Sequence, residues 1–560
     1  MSADTTKPGS RYLAEMFKAA GVTHQFFVPT IMLPLLAEAD ALGISAISAH
    51  GEKAAAYMAD GYARVSGRVG VCLAQTVGAA NLAAGLKDAY MAGSPVLAVT
   101  GGPYESSRFR HVYQEVADYG CFAPVVKWQA SVEHVSRLAE LGLQALRAAT
   151  TGAPGPVHLE VRGHSGQEAE GEGTFEREFE PRFGRTPAFR PVAQADLLEE
   201  AARRLQSAQR PVIVAGGGVI SSGAEAEVIE LAEKLSIPVA TSMSGKAAIA
   251  DRHPLAVGVT GFYSRRSANQ IVAEADLVFY VGSRAGSMVT TNWQVPRPGT
   301  EIVHLDISPE QLGRHYQTRV PLQGDAKASL RLLIERVQAR SNPPWVEHAQ
   351  ALVESWREEV EPALTSDSSP IRPERICAEI ASALPEDGAL VVDTLQSSIW
   401  AASMVGIKGP GQRFARCAGS LGWGLPASIG AKCALGDRAV IGFMGDGGTY
   451  YHLAELETAA RNKIPVVMVV SNNSAYAGEQ HFWPEAYGDR ADRARPNWTF
   501  DNIDFARCAT DLGCLGIRVE RAADIGPALN RALASGRPCL IDVVSDSAAF
   551  HPKGWTPEQA

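Results

Sequence analysis

The chain has 560 residues, 46% apolar and 20% charged, with a net charge of -9. That length exceeds what one hydrophobic core organises and predicts about three domains of ordinary globular composition. The acidic balance argues against a nucleic-acid binder, which needs a basic face for phosphates, and no apolar run reaches the roughly 18 residues of a membrane span.

The N-terminal stretch "MSADTTKPGSRYLAEMF" has no apolar core of the secretory type, so the expected location is cytoplasmic. The eight cysteines form no CxxC pair and mostly sit in apolar surroundings. Buried reduced thiols are expected rather than a disulfide or zinc framework.

Apolar β-rich runs alternate with alanine-rich helical stretches along the chain. In order they include "VGVCLAQT", "SPVLAVTG", "GPVHLEV", "RPVIVAGGG", "DLVFYVGS", "EIVHLDIS", "RAVIGFMGD" and "IPVVMVVSNN". The alternation predicts an α/β protein with buried parallel sheets. Two stretches read as linkers from their polar, glycine, proline and serine content. The expected divisions are therefore 1–165, 190–340 and 370–545, with linkers at 166–189 and 341–369. No short-period repeat is present, which leaves open that the first and last domains share a fold without sequence similarity.

Two regions at opposite ends of the chain carry chemistry. Early on, "ISAHGEKAAAYMADGYARVSG" places Glu52 at a helix start, where the helix dipole alone already favours an acid. Late in the chain, "RAVIGFMGDGG" reads as a strand entering a glycine loop, "YHLAELETAARN" as a helix, and "IPVVMVVSNN" as the next strand. Asp446 and Asn473 then lie at the carboxyl ends of two parallel strands, where open α/β sheets bind ligands. Carboxylate, amide and main-chain oxygens suit a hard cation such as magnesium. Gly447 and Gly448 clear space for backbone N–H groups to approach an anion.

This segment resembles the cofactor signature of thiamine-diphosphate enzymes, which runs from GDG to NN across such a unit. The likeness extends over the whole chain, in the order pyrimidine-binding, middle and diphosphate-binding domain. It points to the group of acetolactate synthases, 2-oxo acid decarboxylases and benzaldehyde lyases, and implies three doubly wound parallel-sheet domains. By that resemblance Asp446 and Asn473 ligate Mg2+ through their side chains and Ala475 through its main-chain oxygen. Glu52 is the acid that promotes the imino tautomer of the cofactor's aminopyrimidine. Within "VVDTLQSSIW", Gln396 and Ser397 meet the diphosphate. In "AGSLGWGLPASIGA", Leu421 wedges between the cofactor's rings and the Gly419 carbonyl accepts from its amino group.

The chain also departs from the pattern. "AQTVGAANL" replaces an SGPG-type stretch and retains only Gly78 and Asn81, so Gln75 and Thr76 are expected to reshape that wall. "HVYQEVADYG" resembles an FQE segment and places Gln114 near the reacting carbon. The paired histidines of simple pyruvate decarboxylases are missing here, and His111 stands alone. Glu479 falls six residues after Asn473, where related decarboxylases carry a catalytic glutamate. It is expected in a low-dielectric pocket as a proton donor. In the middle domain Arg284, Asp306 and Asp325 are the candidates to hold FAD or ADP, in a region that is empty in many relatives.

The activity implied is C–C bond breaking or making beside a carbonyl, on 2-oxo acids first. Alternatives are a 2-hydroxyacyl-CoA lyase or oxalyl-CoA decarboxylase-like enzyme, a benzaldehyde lyase-like enzyme, and a non-catalytic or flavin-binding relative that keeps only the fold. In this group Glu52 of one subunit faces the diphosphate domain of another, so a homodimer at minimum, and a homotetramer, is expected.

Overall fold

The computed structural model describes residues 6–116, 119–175, 179–551 and 554–557. It holds three six-stranded, wholly parallel sheets, one per domain. The first contains β1 (His24–Phe27), β2 (Ser45–Ser48), β3 (Gly70–Ala74), β4 (Val96–Gly102), β5 (Trp128–Val132) and β6 (Val157–Arg162), in the order β2-β1-β3-β4-β6-β5. The second contains β7 (Pro211–Ala215), β8 (Val239–Thr241), β9 (Ala256–Val259), β10 (Leu277–Val281), β11 (Glu301–Asp306) and β12 (Thr318–Gln323). Its order is β9-β8-β7-β10-β11-β12, the doubly wound pattern of dinucleotide-binding domains. The third contains β13 (Ala389–Val392), β14 (Arg413–Arg416), β15 (Val440–Gly445), β16 (Val467–Asn472), β17 (Leu515–Val519) and β18 (Cys539–Val544). Its order, β14-β13-β15-β16-β18-β17, repeats the topology of the first sheet. The central strands are buried on both faces, which is why they read as continuous apolar runs.

The described parts of both linker stretches carry secondary structure. Glu172–Thr174 pairs antiparallel with Thr6–Pro8. Pro343–Leu364 is a 22-residue helix that buries Trp345, Ala349, Val353, Trp356 and Val360. Those positions recur at helical spacing, a period that the prolines opening the stretch obscured. All eight cysteines are free, and Cys121 is the one that lies exposed. Among the described residues no helix is long and apolar enough to cross a membrane.

The first and third domains share one hydrophobic core. At its centre α1 (Glu52–Ser66) crosses the helix Gly424–Leu435. Ala54–Ala63 on the first helix and Gly424–Lys432 on the second are buried on every side, which accounts for their small, apolar composition. The crossing is close enough to require glycine. A Cβ at Gly61 would lie 2.1 Å from the Ala427 carbonyl oxygen, and one at Gly430 would lie 1.8 Å from that of Met58.

Buried charges fix the same interface. Arg64 bonds both oxygens of Asp60 (2.8 and 2.5 Å) and one of Asp88 (2.5 Å). Asp60 in turn accepts from the Trp423 indole at 2.9 Å. Asp88, on α2 (Ala79–Ala92), accepts the main-chain N–H groups of Ala418, Gly419 and Ser420 and the thiol of Cys417. Burial alone would raise the Asp88 carboxyl, but Arg64 and these donors hold it below its usual range.

The crossing makes a direct prediction. Gly430→Ala should cost on the order of 1–3 kcal/mol of stability or more through overpacking. Gly406→Ala, where an added Cβ meets nothing within 4 Å, should stay within about 0.5 kcal/mol of the parent. Denaturant unfolding of both variants decides: equal midpoints would contradict the close crossing.

Candidate active site

The third domain carries a cleft at the carboxyl ends of β13, β15 and β16. Neighbouring strands β15 and β16 pair Gly445 with Ser471, so Asp446 and Asn473 emerge side by side. Ser474 takes a left-handed φ of 57° and folds the chain back. The Ala475 N–H then donates to Asp446 Oδ2 at 3.2 Å and to Asn473 Oδ1 at 3.1 Å. The Asp446 carboxylate, the Asn473 amide oxygen and the Ala475 N–H are thereby gathered at one point. Burial pushes the Asp446 carboxyl up to about 6, the condition of an acid that lacks a counter-charge.

The loop after Asp446 has no room for side chains. A Cβ at Gly447 would meet the Tyr476 ring at 2.5 Å, and one at Gly448 would meet Asp393 Oδ2 at 2.4 Å. Gln396 lines the same cleft, and its buried Oε1 has no partner. Leu421 faces the cleft from the opposite loop, with Cδ1 3.5 Å from the position of a Gly448 Cβ. An oxygen cluster, a side-chain-free loop and an orphaned amide together fit a magnesium-bound diphosphate.

Some residues stand differently from expectation. The Ser397 hydroxyl donates to the main-chain oxygens of Asp393 and Thr394 and so is already engaged. Gly419 is exposed, and its N–H is taken by Asp88. Glu479 is also exposed and lies outside the cleft lining, so in the single chain it occupies no low-dielectric pocket. The helix expected over 451–462 is confined to Glu455–Arg461, and a separate short helix, Asp446–Tyr450, precedes it. The chain turns between them, where Tyr451 lies under Lys53 and His452 meets the Tyr57 ring.

The first domain carries a separate cluster. Glu52 opens α1 directly after Gly51 in extended backbone. Its Oε2 accepts from Asn81 Nδ2 at 3.2 Å. A Cβ at Gly78 would approach Oε1 to 2.5 Å, so glycine there lets the carboxyl stand upright. Glu52, Gly78 and Asn81 therefore form one group. Gln114 lines a second cavity beside it, with Thr76 on the shared wall. None of these residues lines the Asp446 cleft, whose described lining comes wholly from residues 373–549. One chain thus presents two candidate half-sites that share no lining residue among the described residues.

In the middle domain Asp325 is consumed by structure. It caps Ala326–Arg336 through the Ala328 N–H and bonds Arg190 and Ser222. Arg284 reaches across to the Met91 carbonyl oxygen of the first domain at 2.8 Å. The Asp306 carboxylate, at the end of β11, accepts the nearby Ser308 N–H.

Sequence reasoning passed over one residue that lines the cleft, Leu395, and two that hold its Leu421 loop, Asp393 and Asp88. Asp393, pushed up to about 7 by burial, accepts the Gly422 N–H through both oxygens and so holds the Leu421 loop. Its place at the end of an apolar strand was the available signal. Leu395 lines the cleft in a left-handed conformation (φ 55°, ψ -132°) that favours glycine. Asp88 sits on an alanine-rich helix, and nothing in its local sequence marks it.

Comparison with known proteins gives these half-sites a family. Models of the thiamine pyrophosphate enzyme N-terminal TPP binding domain, central domain and C-terminal TPP binding domain match residues 7–120, 198–333 and 393–543. The chain is 33% identical to the probable acetolactate synthase large subunit of Methanocaldococcus jannaschii, over 97% of this chain and 93% of the relative. It is 32% identical to the probable large subunit of Methanococcus aeolicus, covering 89% and 85%. The large subunit of Escherichia coli acetolactate synthase isozyme 1 is 30% identical, with coverage of 90% and 87%. With each matched TPP-binding domain carrying one half-site, the chain belongs to the thiamine pyrophosphate enzyme family, in its acetolactate synthase group.

Proposed function

We propose that this thiamine-diphosphate-dependent carboligase takes a 2-oxo acid as donor, holds its cofactor through Mg2+, and works at minimum as a homodimer. The observation that carries the reading is the gathering of Asp446, Asn473 and Ala475 beside a loop that tolerates only glycine. When bound, the cofactor supplies a nucleophilic carbon and an electron sink beside the donor carbonyl.

The residues divide the remaining work. Asp446, Asn473 and the Ala475 oxygen ligate the metal. Gln396 and the backbone of Gly447 and Gly448 meet the diphosphate. Ser397, with its hydroxyl proton engaged, contributes its main-chain N–H there. Leu421 presses on the cofactor's rings, and the Gly419 oxygen accepts from the amino group. Glu52, steadied by Asn81, holds the proton shared with the pyrimidine ring. Glu52 is absent from the lining of the cleft that holds the metal ligands, which supports a homodimer in which a second subunit supplies the other half. A dimer of dimers repeats this arrangement. In the middle domain Arg284 and Asp306 remain to hold FAD or ADP, and the flavin absorbance of the purified protein tests that occupancy.

Asp446→Ala removes the charged ligand and should weaken magnesium-dependent retention of thiamine diphosphate by about 100-fold. Unchanged affinity in a magnesium titration would count against the assignment. Glu52→Gln should retain the cofactor yet slow hydrogen–deuterium exchange at its reactive carbon by about 100-fold or more, because an amide cannot relay the proton. Exchange at the parent rate would free Glu52 of that role. Glu479 acts as proton donor only where a second subunit covers it. Glu479→Gln should then lower kcat without altering cofactor retention, and an unchanged kcat returns Glu479 to the surface.

A further inference from the structure

Glu52 stands at the start of α1, and the turn before it decides where its carboxyl is held. That turn runs from Ser48, at the end of β2, through Ala49, His50 and Gly51. It does not fix itself. Gly51 is the helix N-cap and has no side chain to bond the first helical N–H groups, and a Cβ there would meet nothing within 4 Å. Without an outside partner, the backbone that aims Glu52 would keep its rotational freedom.

The partner comes from the third domain, 405 positions after His50. Glu455 opens the helix Glu455–Arg461, which follows the short helix Asp446–Tyr450 of the metal cleft. Its carboxylate is buried, at 2% exposure, and Oε1 accepts the His50 N–H at 3.0 Å. Oε2 accepts the Thr458 hydroxyl at 2.7 Å, so both oxygens are held. Burial raises this carboxyl above its usual range, while Thr458 and the His50 and Gly51 N–H groups draw it the other way.

The same helix grips the turn twice more. Glu457 bonds the His50 ring at 2.8 Å, and Arg461 donates to the Ser48 carbonyl oxygen at 2.8 Å. Both contacts lie at the surface, where such pairs contribute little. The buried Glu455 contact is the one whose loss strands a main-chain N–H. Glu455 is not among the described lining residues of the Asp446 cleft, and its side-chain hydrogen bonds lead to His50 and Thr458 rather than to a metal ligand.

Building on the role proposed above for Glu52, we infer that Glu455 is its positioning residue, holding the His50–Gly51 backbone so that the Glu52 carboxyl is aimed. The segment 446–461 then serves the metal cleft with its first helix and the Glu52 group with its second. Glu455 has a geometric task, the acceptance of main-chain hydrogen bonds, and no share in proton transfer.

Two variants of the full-length protein test this. Glu455→Ala deletes the acceptor. Glu455→Gln keeps an oxygen for the His50 N–H, and the Thr458 hydroxyl can turn to accept from its amide. In cofactor-free protein, hydrogen exchange read by mass spectrometry should speed up about 10-fold or more in the peptide spanning His50 and Gly51 of Glu455→Ala. With thiamine diphosphate and Mg2+, Glu455→Ala should retain the cofactor at the parent affinity. Exchange at the cofactor's reactive carbon should nevertheless slow about 10-fold or more, as a misaimed acid predicts. Glu455→Gln should recover most of both losses. Complementation locates the lesion: refolded with Asp446→Ala, Glu455→Ala should regain activity, and refolded with Glu52→Gln it should not. Recovery with Glu52→Gln instead places Glu455 in the metal cleft and overturns the inference. Unchanged protection of His50 and Gly51, or a Glu455→Gln protein as slow as Glu455→Ala, overturns it as well. Carbon exchange at the parent rate in Glu52→Gln would overturn the role of Glu52 itself, whatever the protection of the turn shows.

Discussion

Asp88 stands in the first domain, yet its carboxylate accepts three consecutive main-chain N–H groups from the third, those of Ala418, Gly419 and Ser420. Arg64 and Asp60 extend the clamp to Trp423, and the Gly61 and Gly430 crossings bring the two central helices to backbone contact. A buried carboxylate left without these donors would cost several kcal/mol, so the clamp tolerates little motion. The first and third domains of one chain are therefore locked in a single relative orientation. The loop that carries Gly419 and Leu421 is held from two sides, by Asp88 across the interface and by Asp393 within its own domain.

That orientation decides the layout of the catalytic groups. Within it, the Glu52 cluster and the Asp446 cleft draw on different segments of the chain, 52–81 and 373–549. Each group is well formed alone: Asn81 and Gly78 set the Glu52 carboxyl, while the Ala475 N–H gathers the Asp446 and Asn473 side-chain oxygens. Neither has what the other supplies. The proposed homodimer is the simplest assembly that joins an acid to a metal site while preserving the clamp.

Much of this was legible from sequence, for identifiable reasons. Asp446 and Asn473 could be read because strand, glycine loop, helix and strand have distinct patterns, and because strand ends fix where side chains emerge. Glu52 could be read only together with that segment, since a first-turn glutamate has a sufficient local explanation. The shared topology of the first and third sheets was not legible, because parallel β-α packing asks only for apolar runs, which many sequences satisfy. The helix Pro343–Leu364 hid behind its opening prolines, although its apolar residues kept a helical period. Ser397 and Asp325 have suitable side chains for ligands, but backbone groups claimed them, a competition that residue type cannot reveal. Asp88 was invisible because the main-chain N–H groups it accepts lie more than 300 positions away.

If the clamp keeps the Glu52 group and the Asp446 cleft of one chain apart, a complete site forms only between chains. Subunit complementation tests it most directly. Glu52→Gln and Asp446→Ala protein, each inactive alone, are unfolded, mixed in equal amounts and refolded. Random pairing makes half the dimers hybrids, each with one intact site, so the account predicts recovery to about a quarter of parent activity. If each chain instead completed its own site, every site in the mixture would carry one lesion, and activity would remain at the level of the separate variants.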